Sequence, residues 1–125
     1  MTGQTCLKQA LRLLGYTDTL GSPDSAQYTE FYKRGLAVVN QLVCELSAAE
    51  TGRCAEPLAS LRQPLPLSER TAREVLPYGV AMWIASSQGD GDNQRLFAAL
   101  YDQKRVAVCR ESQRIQDTLP RGWDT

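Results

Sequence analysis

A long run of apolar residues at helical spacing, between Ser25 and Glu50, constrains the fold of this chain most strongly. The stripe lasts for about seven turns, and its members are Tyr28, Phe31, Tyr32, Leu36, Val39, Leu42, Val43 and Leu46. Such a helix is roughly 39 Å long, longer than the core of one 125-residue domain needs, so we expect part of it to contact another molecule. Gly35 within the stripe lowers helix propensity by about 1 kcal/mol relative to Ala, which favours a close crossing by another backbone there.

A shorter helix is predicted near the start of the chain. Its apolar face runs from Cys6 to Leu14 at spacings of three and four residues. Thr5 or Thr2 can cap its first turn, and Gly15 can end it.

A third helical pattern covers residues 69–88, with Ser68 as the predicted cap. Pro77 lies inside this pattern, and because proline removes a backbone donor, we expect a kink or a restart there. Residues 79–85, including Trp83, are small or apolar on all sides and are predicted to be the most buried segment. A fourth helix is predicted to begin after Gly89, with Asp92 as its cap, and to reach about Thr118.

No stretch alternates apolar and polar residues as a half-buried strand does. The chain is therefore predicted to be all-α, a small bundle of about four helices in a single domain over residues 1–125, with its core at about 5–118. A Pro-rich loop over residues 51–67 joins helices 2 and 3, and its leucines indicate packing or an interface rather than a free linker. The extended C-terminal tail, residues 119–125, is expected to be flexible until it docks.

The absence of histidine excludes several kinds of chemistry at once. Without His, neither a Ser/His/Asp nor a Cys/His catalytic site can form, and histidine cannot bind a metal. The chain also lacks a Gly-Lys-Ser/Thr phosphate loop and a Gly-x-Ser-x-Gly turn. The acidic loop at Asp90 and Asp92 does not fit a calcium loop, because Arg95 occupies the position that requires Gly and Tyr101 the position that requires Glu. We therefore expect no enzyme activity, no cofactor and no metal.

The cysteines do not form a metal or redox motif, because no Cys-x-x-Cys pair is present. Cys6, Cys44 and Cys109 fall within helical patterns and are interpreted as small buried thiols, while Cys54 lies in the loop. The first residues do not resemble an export signal, and no apolar run is long enough to cross a membrane. These features predict a soluble protein in a reducing compartment.

Charge gives little support for tight DNA binding by a monomer. Fourteen basic residues balance 14 acidic ones, whereas dedicated nucleic-acid binders are usually basic. The cationic residues of the fourth predicted helix could still touch phosphates, and these are Lys104, Arg105, Arg110 and Arg114. The Gly-Asp-Gly-Asp segment at residues 89–92 has the size of a helix-turn-helix turn. A small helical DNA-binding regulatory protein therefore remains the alternative hypothesis.

Three stretches together carry a family resemblance: CLKQALRLLGY, RGLAVVNQLVCEL and LPYGVAMWIASSQGDGDNQRLFAALYDQKR. In the third, a Leu-Pro-x-Gly-Val-Ala helix leads into a Gly-Asp turn and a helix with Phe-x-x-x-Tyr-x-x-x-Arg. This arrangement resembles the small helical head-tail connector proteins, also called adaptor or head-completion proteins, of tailed bacteriophages. The resemblance covers roughly residues 5–110. Its signature residues are Leu76, Pro77, Gly79, Val80, Ala81, Trp83, Gly89, Asp90, Phe97, Tyr101 and Arg105.

The resemblance implies a structural subunit that assembles as a ring on the portal protein at the virion head-tail junction. Such a ring forms in the bacterial host cytoplasm, extends the DNA channel and offers a platform for the next tail component. Its partners would be copies of itself, the portal, that tail component and passing DNA, bound without sequence specificity, but no membrane. Docking to the portal or to a neighbouring subunit is expected to use the tail residues Pro120, Arg121 and Trp123.

Overall fold

The computed structural model describes residues 1–16 and 25–118, and side chains for residues 1–16 and 29–110. These ranges form an all-α bundle and contain no strand, which confirms the predicted fold class. The elements in chain order are α1 (Gly3–Leu13), α2 (Ser25–Thr51), α3 (Glu69–Glu74), α4 (Leu76–Ser87) and α5 (Gly91–Thr118). The predicted roles of the Tyr28 side chain and of the tail residues Pro120, Arg121 and Trp123 concern parts of the chain outside the described residues.

Local sequence signals set both ends of α1. The Thr2 hydroxyl accepts a hydrogen bond from the backbone N–H of Thr5 at 3.2 Å, so Thr2 is the cap. At the other end, the Gly15 and Tyr16 N–H groups donate to the carbonyls of Arg12 and Leu11, respectively, in the bonding pattern of a Schellman turn. The face that α1 buries packs against α2 and α4 and consists of Cys6, Leu7, Ala10 and Leu11.

The protomer's own core covers most of the α2 stripe. Phe31, Val39 and Val43 are almost fully buried. Gly35 is also buried, but its nearest neighbours are the side chains of Leu7 and Leu61 rather than another backbone. The backbone crossing predicted at Gly35 is therefore not found.

The loop between α2 and α3 is tied to the first two helices. Its leucines Leu58, Leu61 and Leu65 are buried in the core. The Asn40 side chain on α2 accepts from the Leu58 N–H at 2.7 Å and donates to the Leu58 carbonyl at 3.1 Å. The Leu61 carbonyl accepts from the backbone N–H of Gln4 on α1. The loop leucines thus complete this protomer's core and are not surplus surface for a partner.

The predicted third helix is broken as expected. Ser68 caps α3 by accepting from the Thr71 N–H, which confirms the predicted cap. Helix α3 ends at Glu74, and α4 begins at Leu76. Pro77 lies in the first turn of α4, where a backbone N–H has no acceptor within the helix, so the missing N–H of proline costs nothing there.

The turn between α4 and α5 consists of residues 88–90. Gly89 adopts a positive φ of 70°, a conformation that glycine accepts without steric cost. The Asp90 side chain accepts from the Asn93 N–H at 3.2 Å, so Asp90 caps α5. The predicted cap Asp92 is wrong, because this residue lies inside the first turn and pairs with Arg95 instead. Helix α5 reaches Thr118, as the sequence predicts.

Candidate interaction surfaces

The signature residues lie together in the α4–α5 helical hairpin, the most extensively packed pair of helices among the described residues. Those that are buried are Leu76, Pro77, Gly79, Val80, Ala81, Phe97 and Tyr101. Asp90 caps α5, while the exposed Arg105 pairs with Asp102 one turn earlier at 3.3 Å. Most of the signature therefore specifies how α4 packs on α5.

Gly79 lies in close contact with Tyr101 of α5 and Leu42 of α2. A Cβ atom at this position would lie 2.9 Å from Cε2 of Tyr101 and 3.1 Å from Cδ1 of Leu42. Both distances are shorter than normal van der Waals separations. Only glycine lets the Tyr101 ring approach the α4 backbone this closely.

The hydroxyl of Tyr101 is the one buried polar side-chain atom without a hydrogen-bond partner among the described residues. The residue is only 6% exposed. Burial raises the pKa of Tyr101 to about 12, and the nearby negative charge of Glu45 acts in the same direction. The phenol therefore stays neutral at physiological pH and retains an unused donor and acceptor.

Tyr101 forms part of a groove between α2 and α4, which we call the Glu45 groove. Its lining is Val38, Gln41, Leu42, Glu45, Gly79, Met82, Trp83 and Tyr101. The Trp83 ring meets Phe31 edge-on, with 6.1 Å between ring centroids. Met82 and Trp83 are only half-buried, so the burial predicted for residues 79–85 is incomplete at these two. Their outer faces form an apolar wall beside the exposed Glu45.

A second depression lies across α2 from the Glu45 groove. Its lining is Gln4, Thr29, Tyr32, Lys33 and Arg62, and we call it the Lys33/Arg62 surface. An adjoining hollow adds the half-buried Leu36. Lys33 and Arg62 are exposed, and neither forms an ion pair within the described part of the chain. This surface is cationic.

The basic residues of α5 are largely engaged by the protomer itself. Arg95 and Arg105 pair with aspartates one turn away. The Lys104 ammonium lies 4.5 Å from the centre of the Tyr78 ring, within the range of a cation–π contact. Pairing with acidic neighbours reduces the positive potential that phosphate groups would meet along α5.

The cysteines differ from the prediction. Cys6 is buried, and desolvation raises its pKa well above the usual range, as expected for an inert thiol. Cys44 instead forms a disulfide with Cys54, with 4.4 Å between Cα atoms, and Cys109 is exposed. The prediction of buried thiols is therefore wrong for Cys44 and Cys109. The absence of a Cys-x-x-Cys motif could not reveal a bond between α2 and the start of the following loop.

No group of three or more His, Cys, Asp or Glu side chains that could hold a metal ion occurs in the part of the chain with described side chains. Within residues 1–16 and 25–118, no helix is both long and apolar enough to cross a membrane.

Comparisons of the chain with protein-family models, with curated proteins and with solved structures find no match.

Sequence reasoning identified Tyr101 and Trp83 but missed Glu45, Lys33 and Arg62. Glu45 and Lys33 stand on the polar side of the α2 pattern, where charged residues are ordinary. Their proximity to Met82, Trp83 or the loop depends on contacts between elements, and no local pattern encodes those contacts.

Proposed function

We propose that this chain is a non-enzymatic subunit of a phage head-tail connector, assembling as a ring on the portal and extending the DNA channel. The observation that carries the proposal is the signature from Leu76 to Arg105, whose buried members form one continuous helical hairpin. The close Gly79–Tyr101 contact supports it, because it gives two separated signature residues a joint structural purpose.

The distribution of charge also supports a ring. A cyclic assembly needs two different patches on each subunit, one for each neighbour. The Glu45 groove and the Lys33/Arg62 surface are two such patches of unlike charge. A formal net charge of +0 limits repulsion between many copies and limits adhesion of DNA that passes through the channel.

Electron microscopy of the purified protein mixed with its cognate portal ring tests the proposal. We expect an additional ring of density on the tail-facing side of the portal. A chain truncated after Thr118 should retain its helical circular dichroism but bind the portal more weakly, because the proposed docking residues Pro120, Arg121 and Trp123 are removed. The proposal fails if the full chain never binds the portal and phage lacking it still retain DNA and attach tails.

The alternative, a small DNA-binding regulator, has one favourable observation: a three-residue turn, residues 88–90, joins α4 to α5. It predicts binding to duplex DNA with a steep dependence on salt concentration. A mobility-shift assay at low salt decides this point, since the absence of any shift removes the alternative.

A further inference from the structure

The two depressions beside α2 have opposite charges and lie on opposite sides of this helix. At 3.6 residues per turn, the α2 residues that line the Lys33/Arg62 surface and those that line the Glu45 groove point in mean directions about 180° apart. Lys33 and Glu45 are also separated by about 18 Å along the helix axis. These charges therefore cannot pair with each other within one protomer.

Each surface has charged groups that the protomer leaves without an ionic partner. Glu45 forms no ion pair or side-chain hydrogen bond within the described residues, and the same is true of the Lys33 and Arg62 side chains. Four other arginines, Arg70, Arg73, Arg95 and Arg105, pair with acids on their own helix. The charges at the two surfaces are thus available to another molecule.

The walls of the Glu45 groove suit a long cationic side chain. Half-buried Met82 and Trp83 present apolar surface against which the methylene stem of Lys or Arg can pack. The Trp83 ring also attracts a cation over its face. An apolar wall beside a free carboxylate is complementary to a guanidinium or ammonium group.

We infer that the Glu45 groove of one copy of this chain binds the Lys33/Arg62 surface of a second copy. Because the two surfaces differ and lie on opposite sides of α2, each copy can bind one neighbour at each side. This head-to-tail contact is heterologous, the type that generates a ring or an open chain of subunits. As the contact between neighbouring subunits of the proposed ring, it rests on the proposed function, although it can be measured without the portal.

Charge reversal on one side at a time tests this contact. The variants are Glu45→Arg, which reverses the charge of the groove, and the double variant Lys33→Glu/Arg62→Glu, which reverses the charge of the opposite surface. Matched controls are Glu56→Arg and Arg53→Glu, which change exposed charges outside both surfaces. All these positions are exposed, so the fold should be retained, and circular dichroism verifies this.

Sedimentation at low salt, up to millimolar concentration, should show that the unaltered chain associates. Each reversal should weaken association at least about tenfold, while the controls should associate like the parent. An equimolar mixture of the two reversal proteins should regain association, at least to a 1:1 dimer, because the intact groove of one protein can bind the intact cationic surface of the other and the two reversed surfaces also carry opposite charges. Added salt should weaken that dimer.

A second readout comes from Trp83. In a Trp123→Phe background Trp83 is the only remaining tryptophan, since the chain has two. Its emission should change when the Glu45 grooves are occupied in the mixture. The inference is wrong if the parent stays monomeric at every concentration, if the mixture forms no dimer, or if the controls weaken association as much as the reversals.

The portal experiment separates this inference from the proposed function. If the mixture dimerises but the parent never binds the portal, the contact stands and the connector proposal fails. If the parent forms a ring on the portal but the mixture stays monomeric, the proposed function stands and this contact is wrong.

Discussion

Replacing Gly79 with Ala should destabilise the protein even though alanine is the better helix former. The new Cβ would lie 2.9 Å and 3.0 Å from two carbons of the Tyr101 ring and 3.1 Å from Cδ1 of Leu42. Overpacking of this kind costs about 1–3 kcal/mol, while the gain in helix propensity is about 1 kcal/mol. We therefore expect a net loss of about 1 kcal/mol in the free energy of unfolding.

Gly35→Ala is the matched control. Gly35 is also buried in a helix, but its Cβ would lie 3.5 Å from Leu7 and 3.6 Å from Leu61, ordinary contact distances. This substitution should stabilise the protein by up to about 1 kcal/mol. Urea denaturation followed by circular dichroism measures both changes.

A double-mutant cycle then isolates the steric contact at Gly79. In a Tyr101→Leu background, the branched aliphatic side chain can move away from α4, so Gly79→Ala should become neutral or stabilising. The reasoning is refuted if Gly79→Ala stabilises the parent as much as Gly35→Ala does. It is also refuted if Gly79→Ala is equally destabilising with and without the Tyr101 ring.

Three other predictions follow from the described contacts. The double substitution Cys44→Ser/Cys54→Ser should lower the free energy of unfolding by about 3 kcal/mol, because the disulfide closes a loop with a sequence separation of 10 residues. The control Cys109→Ser should have no measurable effect. Reductant should reproduce the double substitution in denaturation experiments on the parent. The folded-state pKa of Tyr101 is raised from 10.0 to about 12, so the contribution of this residue to stability should be constant below pH 10 and fall between pH 10 and about 12. Tyr101→Phe should remove this component in urea titrations and should not destabilise the protein at neutral pH. Trp83→Ala should cost about 2 kcal/mol in thermal or urea denaturation, less than for a fully buried ring, because this side chain is only half-buried.

The helices and most of their ends could be predicted because their determinants are local. Thr2, Ser68 and Gly15 each act within one turn of the residues they cap or terminate. Pro77 interrupts the third helical pattern because its ring clashes with the preceding turn and because it has no N–H to donate. The error at the start of α5 was small, since Asp90 rather than Asp92 is the cap.

The interaction surfaces and the disulfide could not be predicted in the same way. Whether Cys44 meets Cys54 depends on the path of the loop, and that path is set by Asn40 and by leucines that insert between distant helices. The apolar surface predicted to remain uncovered was therefore too large, because the sequence pattern does not show that Leu61 fills the space beside Gly3 and Gly35. Large apolar side chains that remain exposed in the described part of the chain are Leu13, Leu96 and Val106.

The two hydrogen bonds between the Asn40 side chain and Leu58 have a practical consequence for engineering this protein. Long irregular loops are usually the first choice for inserting an affinity tag or a fluorescent label. An insertion next to Leu58 would break both hydrogen bonds between the Asn40 amide and the Leu58 backbone, and it would draw the Leu58 side chain out of the core. Tags are better placed at the turn around Gly89, whose Cβ direction is open, than anywhere along the loop that Asn40 fastens.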